Sequence, residues 1–241
     1  MSEFYDIHTH ILPGIDDGCR TAEESAAVLR EEIRQGCAGV IATPHYYSKE
    51  SITDFVVKRE RSFEELKKVL GKDLEGWEKR IKLGAEVAYT PSIAKDQDLG
   101  LLKLGGSDYI LIELPFREWD SRVIQDIRLI NSYHGLTPVI AHIERYRKYV
   151  SKKMLRQLIE EQVVTQINAG MFSGFFDRIT AGKWIRENRI QLIATDTHNI
   201  EKRPPNIEVA EKYLIRSGME DEWDRIMDFS ERIWGEHNAA E

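Results

Sequence analysis

The stretch YDIHTH, residues 5–10, is a short, partly apolar run that ends in two histidines. In an extended strand, His8 and His10 project to the same side because side chains alternate between the two faces. The stretch ATDTH, residues 194–198, repeats this arrangement with Asp196 and His198. Each stretch predicts a strand whose end carries two possible metal ligands. A closed barrel would make the first and last strands neighbours and place the two pairs side by side.

Further apolar runs of strand length lie between these two stretches and alternate with amphipathic helical segments. The first helix is expected to start at a capping box formed by Thr21 and Glu24 and to stop at Gly36. Repeated βα units of this kind form a parallel sheet, either open and doubly wound or closed into a barrel. The predicted helices are residues 22–35, 53–69, 122–131, 151–161 and 176–188. The seven predicted strands are residues 5–8, 39–42, 81–86, 109–114, 138–142, 164–168 and 191–195.

Polar residues at the strand ends favour the barrel. An open sheet concentrates its site at one switch point, whereas a barrel draws its site from the C-terminal ends of several strands. Five of the seven histidines lie at or just after predicted strands, and we expect the other two, His134 and His237, on the surface. No linker divides residues 1–241, so a single domain is expected. The strand-end residues are His8, His10, His45, Glu86, Glu113, His142, Asn168, Asp196 and His198.

Imidazole and carboxylate groups without cysteine form the ligand set of divalent ions such as manganese, iron, zinc or magnesium. Asp17 joins the candidates from the loop DDG, residues 16–18, whereas Asp16 is expected to form the turn before Gly18. Nine candidates are too many for one ion and suit two or three. Three such ions outweigh the charge of the four carboxylates and would attract phosphate. The expected ligands are His8, His10, Asp17, His45, Glu86, Glu113, His142, Asp196 and His198.

Two arginines follow these ligands closely in the chain. Arg145 comes three positions after His142, and Arg203 comes five positions after His198. A planar guanidinium offers paired N–H donors that match phosphate oxygens. The alternative for each arginine is a surface ion pair, for instance between Arg203 and Glu201. We expect both arginines to hold phosphate.

Composition and charge exclude several classes of protein. With 34 basic and 41 acidic residues the formal net charge is −7, which argues against a nucleic-acid partner because phosphate backbones favour clustered positive charge. No stretch approaches the eighteen apolar residues of a transmembrane helix, and the first ten residues do not resemble a secretory signal. A cytoplasmic location is therefore expected.

The two cysteines, Cys19 and Cys37, form neither a CxxC motif nor a disulfide framework and are expected to be buried thiols. A cysteine-nucleophile tyrosine phosphatase needs arginine six positions after its cysteine. Ser25 and Thr43 occupy those positions here, which excludes that class.

Five motifs together resemble the bacterial metal-dependent tyrosine-protein phosphatases of the CpsB/YwqE type, within the PHP (polymerase and histidinol phosphatase) superfamily. The motifs are YDIHTHILPGIDDG (5–18), ATPH (42–45), ILIELPF (110–116), VIAHIER (139–145) and ATDTHN (194–199). The resemblance runs from about residue 5 to residue 203. It implies a distorted seven-stranded, TIM-like α/β barrel with a trinuclear site, usually supported by manganese. It also implies the nine ligands above and phosphate binding by Arg145 and Arg203. Ile143 departs from the pattern, since many relatives have proline there.

The resemblance further implies a phosphatase that acts on phosphotyrosines of autokinases that regulate capsule or exopolysaccharide synthesis. The partner would be the phosphorylated tail of such a kinase. Two alternatives stay open: a small-molecule phosphatase similar to histidinol phosphatase, and a non-catalytic binding module stabilised by metal. The expected reaction is hydrolysis of a phosphomonoester by water activated at the cations. Two roles stay open for the aromatic residues Tyr46, Tyr47, Phe116 and Trp119: contact with the phenyl ring of the substrate, or ordinary packing of their loops.

Overall fold

The computed structural model describes residues 3–91 and 93–235, in which strands and helices alternate along the chain. The strands are β1 Phe4–Thr9, β2 Cys37–Ala42, β3 His45–Tyr46, β4 Ile81–Leu83, β5 Glu86–Ala88, β6 Tyr109–Glu113, β7 Thr137–Ile140, β8 Val164–Asn168 and β9 Leu192–Ala194. The helices are α1 Ala22–Arg34, α2 Ile52–Lys67, α3 Ser121–His134, α4 Lys152–Ile159, α5 Phe175–Arg186, α6 Ile207–Arg216 and α7 Glu220–Gly235. His237 lies outside the described residues.

The strands form a curled parallel sheet. One part has the order β1-β2-β4 and the other the order β3-β5-β6-β7-β8-β9. The first and last strands approach each other at their C-terminal ends, where Thr9 and Thr197 form a parallel bridge. Two backbone hydrogen bonds support this bridge, from Asp196 to the His8 carbonyl (3.0 Å) and from His10 to the Thr197 carbonyl (2.8 Å). The predicted α/β class with parallel strands is confirmed.

The described residues form nine strands where the sequence predicts seven. The predicted run 81–86 is two strands, β4 and β5, separated by Gly84 and Ala85. Strand β3 was not predicted. Pro44 lies between β2 and β3, and because proline lacks the N–H that a strand donates, the chain starts a separate short strand after it. Helices α6 and α7 were also not predicted, whereas α1–α5 match the predicted helices within a few residues.

The first helix begins at the expected N-cap, Thr21, but the Glu24 carboxylate binds one position before the N–H that a capping box uses. The Thr21 side chain accepts a hydrogen bond from the Glu24 backbone N–H, and the Glu24 carboxylate accepts one from the Arg20 N–H. Helix α1 ends before Gly36, whose φ of +91° suits glycine. The local sequence therefore decides where this helix starts and stops.

Helix α7 covers the N-terminal ends of the first strands. The Trp234 ring lies 4.9 Å from the Tyr5 ring, and a Cβ on Gly39 would come within 2.7 Å of Trp234. Gly39 is therefore required for this close packing. Ile233 extends an apolar cluster of inward-facing strand residues, among them Ile7 and Leu111. Helix α7 therefore packs at the end of the sheet opposite the bridge between Thr9 and Thr197.

Both cysteines are buried and unpaired, as predicted. Burial raises the pKa of the Cys19 thiol to about 12 and that of Cys37 well above its usual value. In the described ranges, no helix is both long and apolar enough to cross a bilayer.

Candidate metal centre

One end of the sheet brings together the nine residues that the sequence predicts as ligands. Strand β1 supplies His8 and leads into His10, and β9 leads into Asp196 and His198. Glu113 ends β6, His142 follows β7, and Asp17 lies in the loop between β1 and α1. His45 and Glu86 are the first residues of β3 and β5, so Glu86 does not end a strand as predicted, because the run 81–86 is interrupted at Gly84 and Ala85. Within each of three groups, the possible ligand atoms all lie within 4.8 Å of one another. The groups are His10, Asp17, His45 and His198; His8, His10 and Asp196; and His45, Glu86 and Glu113.

Glu86 is the centre of the cluster. Its Oε2 lies 3.3 Å from His8 Nε2, 3.2 Å from His10 Nε2 and 3.1 Å from His45 Nδ1. Its Oε1 lies 2.8 Å from His142 Nε2. Glu86 is only 1% exposed, so its charge must be balanced by positive groups inside the cluster. Imidazoles surround both oxygens of this carboxylate, so Glu86 would be a ligand if divalent cations occupied the cluster.

Asp17 lies at the outer side of the cluster. Its Oδ1 is 3.4 Å from His198 Nε2 and 3.5 Å from His45 Nε2, while two-thirds of its side chain is exposed. At the opposite side, Glu113 Oε1 lies 3.4 Å from His142 Nε2. The cluster thus extends from an enclosed centre to solvent-accessible carboxylates.

Asp16 orients two of the histidines, a role that the sequence prediction missed. The expected turn exists, since Asp16 Oδ1 accepts a hydrogen bond from Gly18 N–H (2.9 Å). Its other oxygen, Oδ2, lies 2.7 Å from His10 Nδ1 and accepts from His45 N–H at 2.9 Å. A Cβ on Gly18 would come within 2.2 Å of the His10 carbonyl oxygen, so only glycine fits this loop.

Gln166, on strand β8, is a second orienting residue that was not predicted. Its Oε1 lies 3.2 Å from His8 Nδ1 and accepts a hydrogen bond from the His142 backbone N–H at 2.8 Å. Its amide nitrogen donates to Asn168, which in turn donates to Asp196 Oδ2 at 2.6 Å. One signal was available: Gln166 and Asn168 are separated by one position, so both project to the same face of β8.

These hydrogen bonds assign the ring nitrogens that face the cluster. When His8 Nδ1–H donates to Gln166 and His10 Nδ1–H donates to Asp16, both Nε2 atoms carry lone pairs. The two Nε2 atoms lie 3.3 Å apart, beside Glu86 Oε2 and Asp196 Oδ1. With both imidazoles neutral, these four acceptors repel one another unless a cation lies among them. The raised pKa of His10 is consistent with this, since a proton on that ring supplies positive charge where no metal is bound.

Arg145 and Arg203 converge on Asp196. Their Nη2 atoms donate to Asp196 Oδ2 at 2.8 and 2.6 Å, and each side chain stays more than a third exposed. Arg145 lies in the 3-10 turn Ile143–Lys148 directly after His142. Arg203 ends a loop in which the Asn199 side chain accepts three backbone N–H groups. The arginines therefore lie at the edge of the cluster and not on separate surfaces.

Two residues of the site have left-handed backbone conformations that non-glycine residues seldom adopt. His142 has φ +32° and Asp196 has φ +54°. Such conformations cost about 1–3 kcal/mol each and persist only where surrounding contacts impose them. The hydrogen bonds from His142 N–H to Gln166 and from Asp196 N–H to His8 are those contacts.

The electrostatics of the cluster favour charged groups despite burial. Burial opposes ionisation of Glu86, but the neighbouring histidines outweigh it and hold the pKa of that carboxyl well below its usual value. Burial likewise opposes protonation of His10, yet the Asp16 carboxylate raises its pKa well above the usual value. His198 differs, since burial and the nearby His10 lower its pKa to about 4. A neutral imidazole at His198 is the form that binds metal.

The residues present fit divalent cations. Nδ1 of His142 and Nε2 of His198 are buried and have no hydrogen-bond partner among the described residues. The donor set combines imidazole nitrogens with carboxylate oxygens and contains no thiolate, which suits borderline or hard divalent ions.

The aromatic residues near the site divide into two pairs. Tyr46 and Trp119 are 2% and 5% exposed, and their polar atoms bond to backbone carbonyls, so both serve loop packing. Tyr47 and Phe116 are 48% and 41% exposed; their rings lie 5.4 Å from His45 and 5.7 Å from His142, respectively. Of these four residues, Tyr47 and Phe116 are the ones exposed enough to contact a ligand.

His134 was predicted on the surface, between a helix and a strand. It is instead the last residue of α3, half-buried, with Nε2 3.0 Å from the Ala94 carbonyl oxygen. The helix continues to His134 because the αL residue that ends it, Gly135, comes only then.

Comparison with known proteins agrees with this geometry. The family model described as "Capsular polysaccharide synthesis, CpsB/CapC" matches residues 4–231. The chain belongs to the CpsB/CapC family. Tyrosine-protein phosphatase YwqE of Bacillus subtilis is 33% identical over 208 residues, covering 82% of this chain and 78% of that protein. Tyrosine-protein phosphatase CpsB of Streptococcus pneumoniae is 31% identical over 232 residues, covering 89% and 93%. The predicted family resemblance is confirmed.

Solved structures support the fold of this CpsB/CapC member. A structure from a study of YwqE and CpsB, described as unique metal-dependent tyrosine phosphatases, matches with a TM-score of 0.81 at 28% identity, over 95% of this chain and 94% of that one. Dihydropyrimidinase from Brevibacillus agri matches with a TM-score of 0.57 at 9% identity, over 98% of this chain and 71% of that one. The latter likeness concerns the fold alone.

Proposed function

We propose that this chain is a metal-dependent protein-tyrosine phosphatase that acts on an autophosphorylated tyrosine kinase in capsule or exopolysaccharide synthesis. The observation that carries the proposal is the convergence of Arg145 and Arg203 at Asp196, on the edge of a nine-residue ligand cluster. Relatives named as tyrosine-protein phosphatases, about 30% identical over most of their length, support it.

The nine predicted ligands would hold two or three divalent ions, with manganese as the first candidate. Bound cations lower the pKa of coordinated water and neutralise charge on phosphoryl oxygens. Glu86 offers one oxygen to three imidazoles and the other to His142, which suits a bridging role. Gln166 and Asp16 hold His8 and His10 with their Nε2 atoms directed into the cluster.

Arg145 and Arg203 would bind the phosphoryl group. Each guanidinium uses Nη2 to contact Asp196 and has further N–H donors for phosphate oxygens. Their fixed positions orient the group for attack and stabilise charge that develops in the transition state. A tyrosyl phenolate, with a pKa of about 10, is a weak enough base to leave without a dedicated acid. Tyr47 and Phe116 would contact its ring.

We also propose that the curled sheet is a closed, seven-stranded barrel. Strands β2 and β3 would form one stave of a barrel and β4 and β5 another, so that nine short strands count as seven staves. The bridge between Thr9 and Thr197 supports closure of that barrel into a single domain. We place the protein in the cytoplasm because ATP, the phosphate donor of tyrosine kinases, is found there.

Kinetics on three substrates test this function. With manganese-loaded protein, kcat/KM for a phosphotyrosyl peptide should exceed that for histidinol phosphate and for a phosphoseryl peptide at least tenfold. A preference for histidinol phosphate would support a small-molecule phosphatase instead. A metal-replete sample inert towards all three would support a non-catalytic module.

A further inference from the structure

A groove beside the metal cluster is not used by the proposed chemistry. It has a volume of about 1120 Å³ and lies between the turn Ile143–Lys148, helix α4 and helix α5. Arg145 lines the groove, and the same side chain donates to Asp196 at 2.8 Å. Arg145 therefore links the groove to the place where a phosphoryl group would bind.

The groove is positively charged on a protein whose net charge is −7. Seven of its lining side chains are basic and three are acidic. Lys148, Lys152 and Arg156 are exposed, and none of them has a carboxylate partner within residues 3–91 and 93–235. Lys183, on the opposite wall, is 70% exposed and lies 3.8 Å from Glu187. Three of the seven basic side chains are therefore free to meet a ligand, whereas Arg145, Arg147 and Arg189, like Lys183, each lie beside a carboxylate.

The groove also has an apolar base. Leu155 and Met171 are nearly buried beneath it, and Trp184 is half-buried with the Arg147 guanidinium 5.3 Å above its ring. Ile179 also lines the groove and is 50% exposed, which adds apolar surface beside the basic side chains. A ligand for this surface must offer both negative charge and apolar groups.

We propose that the groove binds an acidic segment of the substrate polypeptide, adjacent in sequence to its phosphotyrosine. This inference rests on the proposed phosphatase function. An extended polypeptide presents side chains alternately, so carboxylates can meet the basic walls while apolar or aromatic side chains meet the base. A concave groove admits such a chain, whereas an anionic membrane surface favours an exposed, convex or planar basic face. Binding there would hold the phosphotyrosine beside Arg145.

The test compares matched peptides on the metal-loaded protein. Two phosphotyrosyl peptides of equal length differ only in glutamate or glutamine at the flanking positions, and a small aryl phosphate ester serves as a substrate without flanks. The wild-type protein should favour the acidic peptide over the neutral one about tenfold in kcat/KM, and this preference should shrink as ionic strength rises. The double substitution Lys152→Glu and Arg156→Glu should abolish the preference.

Lys153→Glu is the matched control. Lys153 is exposed on the same helix, one position from Lys152, but does not line the groove. This variant lowers the net charge by half as much as the double variant and leaves the groove unchanged, so the acidic-peptide preference should persist. If Lys153→Glu and the double variant lost the preference equally, general charge would explain it and the groove would be irrelevant.

A binding measurement separates this inference from the phosphatase function. Fluorescence anisotropy with peptides that carry a non-hydrolysable phosphonate analogue of phosphotyrosine gives Kd without turnover. An acidic peptide that binds about tenfold more tightly than the neutral one, and loses this advantage in the double variant, supports the groove even if no peptide is hydrolysed. Equal Kd values for the two peptides would overturn it. So would a double variant that loses binding to phosphatidylserine vesicles while keeping its peptide Kd.

Discussion

At the scale of single residues, Asp196 connects the two functions of the site. Its Oδ2 accepts hydrogen bonds from Arg145, Arg203 and Asn168, whereas its Oδ1 faces the Nε2 atoms of His8 and His10. One carboxylate therefore positions the anion-binding groups relative to the metal ligands. This arrangement predicts that the arginines can be removed without loss of metal.

Arg145→Ala should keep its metal content while kcat/KM for a phosphotyrosyl peptide falls about 10²–10³-fold, as expected for loss of a preorganised donor to the transition state. Elemental analysis and steady-state kinetics measure the two quantities. Arg216→Ala, at the exposed end of α6, is the control and should match the wild-type protein. Wild-type kinetics in Arg145→Ala would contradict the phosphate-binding role.

Gln166→Ala should weaken metal retention about 10–100-fold, because it removes the acceptor that orients His8 and the His142 backbone. Competition with a chelator measures the affinity, and circular dichroism checks the fold. Gln166→Glu keeps an acceptor at the same place and should retain more metal than the alanine variant. Equal affinity in all three proteins would show that Gln166 does not orient the ligands.

At the scale of secondary-structure elements, a buried pair of acids joins α1 to strands β1 and β9. Asp6 accepts from the Thr195 backbone N–H and hydroxyl, and the Glu32 Oε1 lies 3.3 Å from the same hydroxyl. Burial raises the pKa of Asp6 to about 6, and burial together with the Asp6 charge raises the pKa of Glu32 well above its usual value. Glu32 Oε2 has no hydrogen-bond partner among the described residues.

This pair should make stability fall as pH rises. A carboxyl whose folded-state pKa exceeds its unfolded value binds its proton more tightly in the folded state. For Asp6 the stabilising effect is therefore complete below about pH 4 and is lost as pH rises towards 6. Glu32 adds to the loss at higher pH because its pKa is also raised.

Glu32→Gln should remove the cost of ionising this site and raise Tm by about 2–4 °C at pH 8, equivalent to roughly 1 kcal/mol in a chain of this size. At pH 4 the difference should nearly disappear. Glu31→Gln is the neighbouring control; it loses the Arg34 ion pair and should not raise Tm at either pH. A Glu32→Gln variant with lower Tm at pH 8 would contradict the predicted sign.

At the scale of the whole molecule, helix α7 packs against one end of the curled sheet, and four candidate ligand carboxylates lie close together at the other end. Asp17, Glu86, Glu113 and Asp196 repel one another when no cation balances them. Because cations bind the folded site and not the unfolded chain, they should stabilise the whole fold.

Removal of metal by a chelator should therefore lower Tm. At a free metal concentration of about 100 times Kd, the expected loss is about 2.7 kcal/mol, or about 5–10 °C. Calorimetry with and without added manganese measures it. His8→Ala should show a smaller metal-dependent shift, since one ligand is missing. Identical Tm values for the metal-loaded and chelated wild-type protein would contradict a dense cation site.

Much of this organisation was predictable from local sequence. The alternation of apolar runs and helical segments identified the α/β class, and most expected ligands lie at or just after the C-terminal end of a strand. His45 and Glu86 instead begin strands, and Asp17 lies in the loop between β1 and α1. Helix starts were predictable where a cap decides them, as at Thr21. Strand limits were not predictable at Pro44 and Gly84, because interruption of a strand depends on which neighbours complete its hydrogen bonds.

The sequence alone determined which residue types occupy the strand ends, since side-chain alternation and helix caps depend on neighbouring positions. Only the tertiary structure decided which of those residues share a carboxylate, that Gln166 and Asp16 orient the histidines, and that a basic groove adjoins Arg145. Those distances join residues as far apart as His8 and Gln166, and curvature of the sheet sets them. The curvature cannot be predicted from neighbouring positions in the sequence, because it arises from packing between the strands and the helices around them.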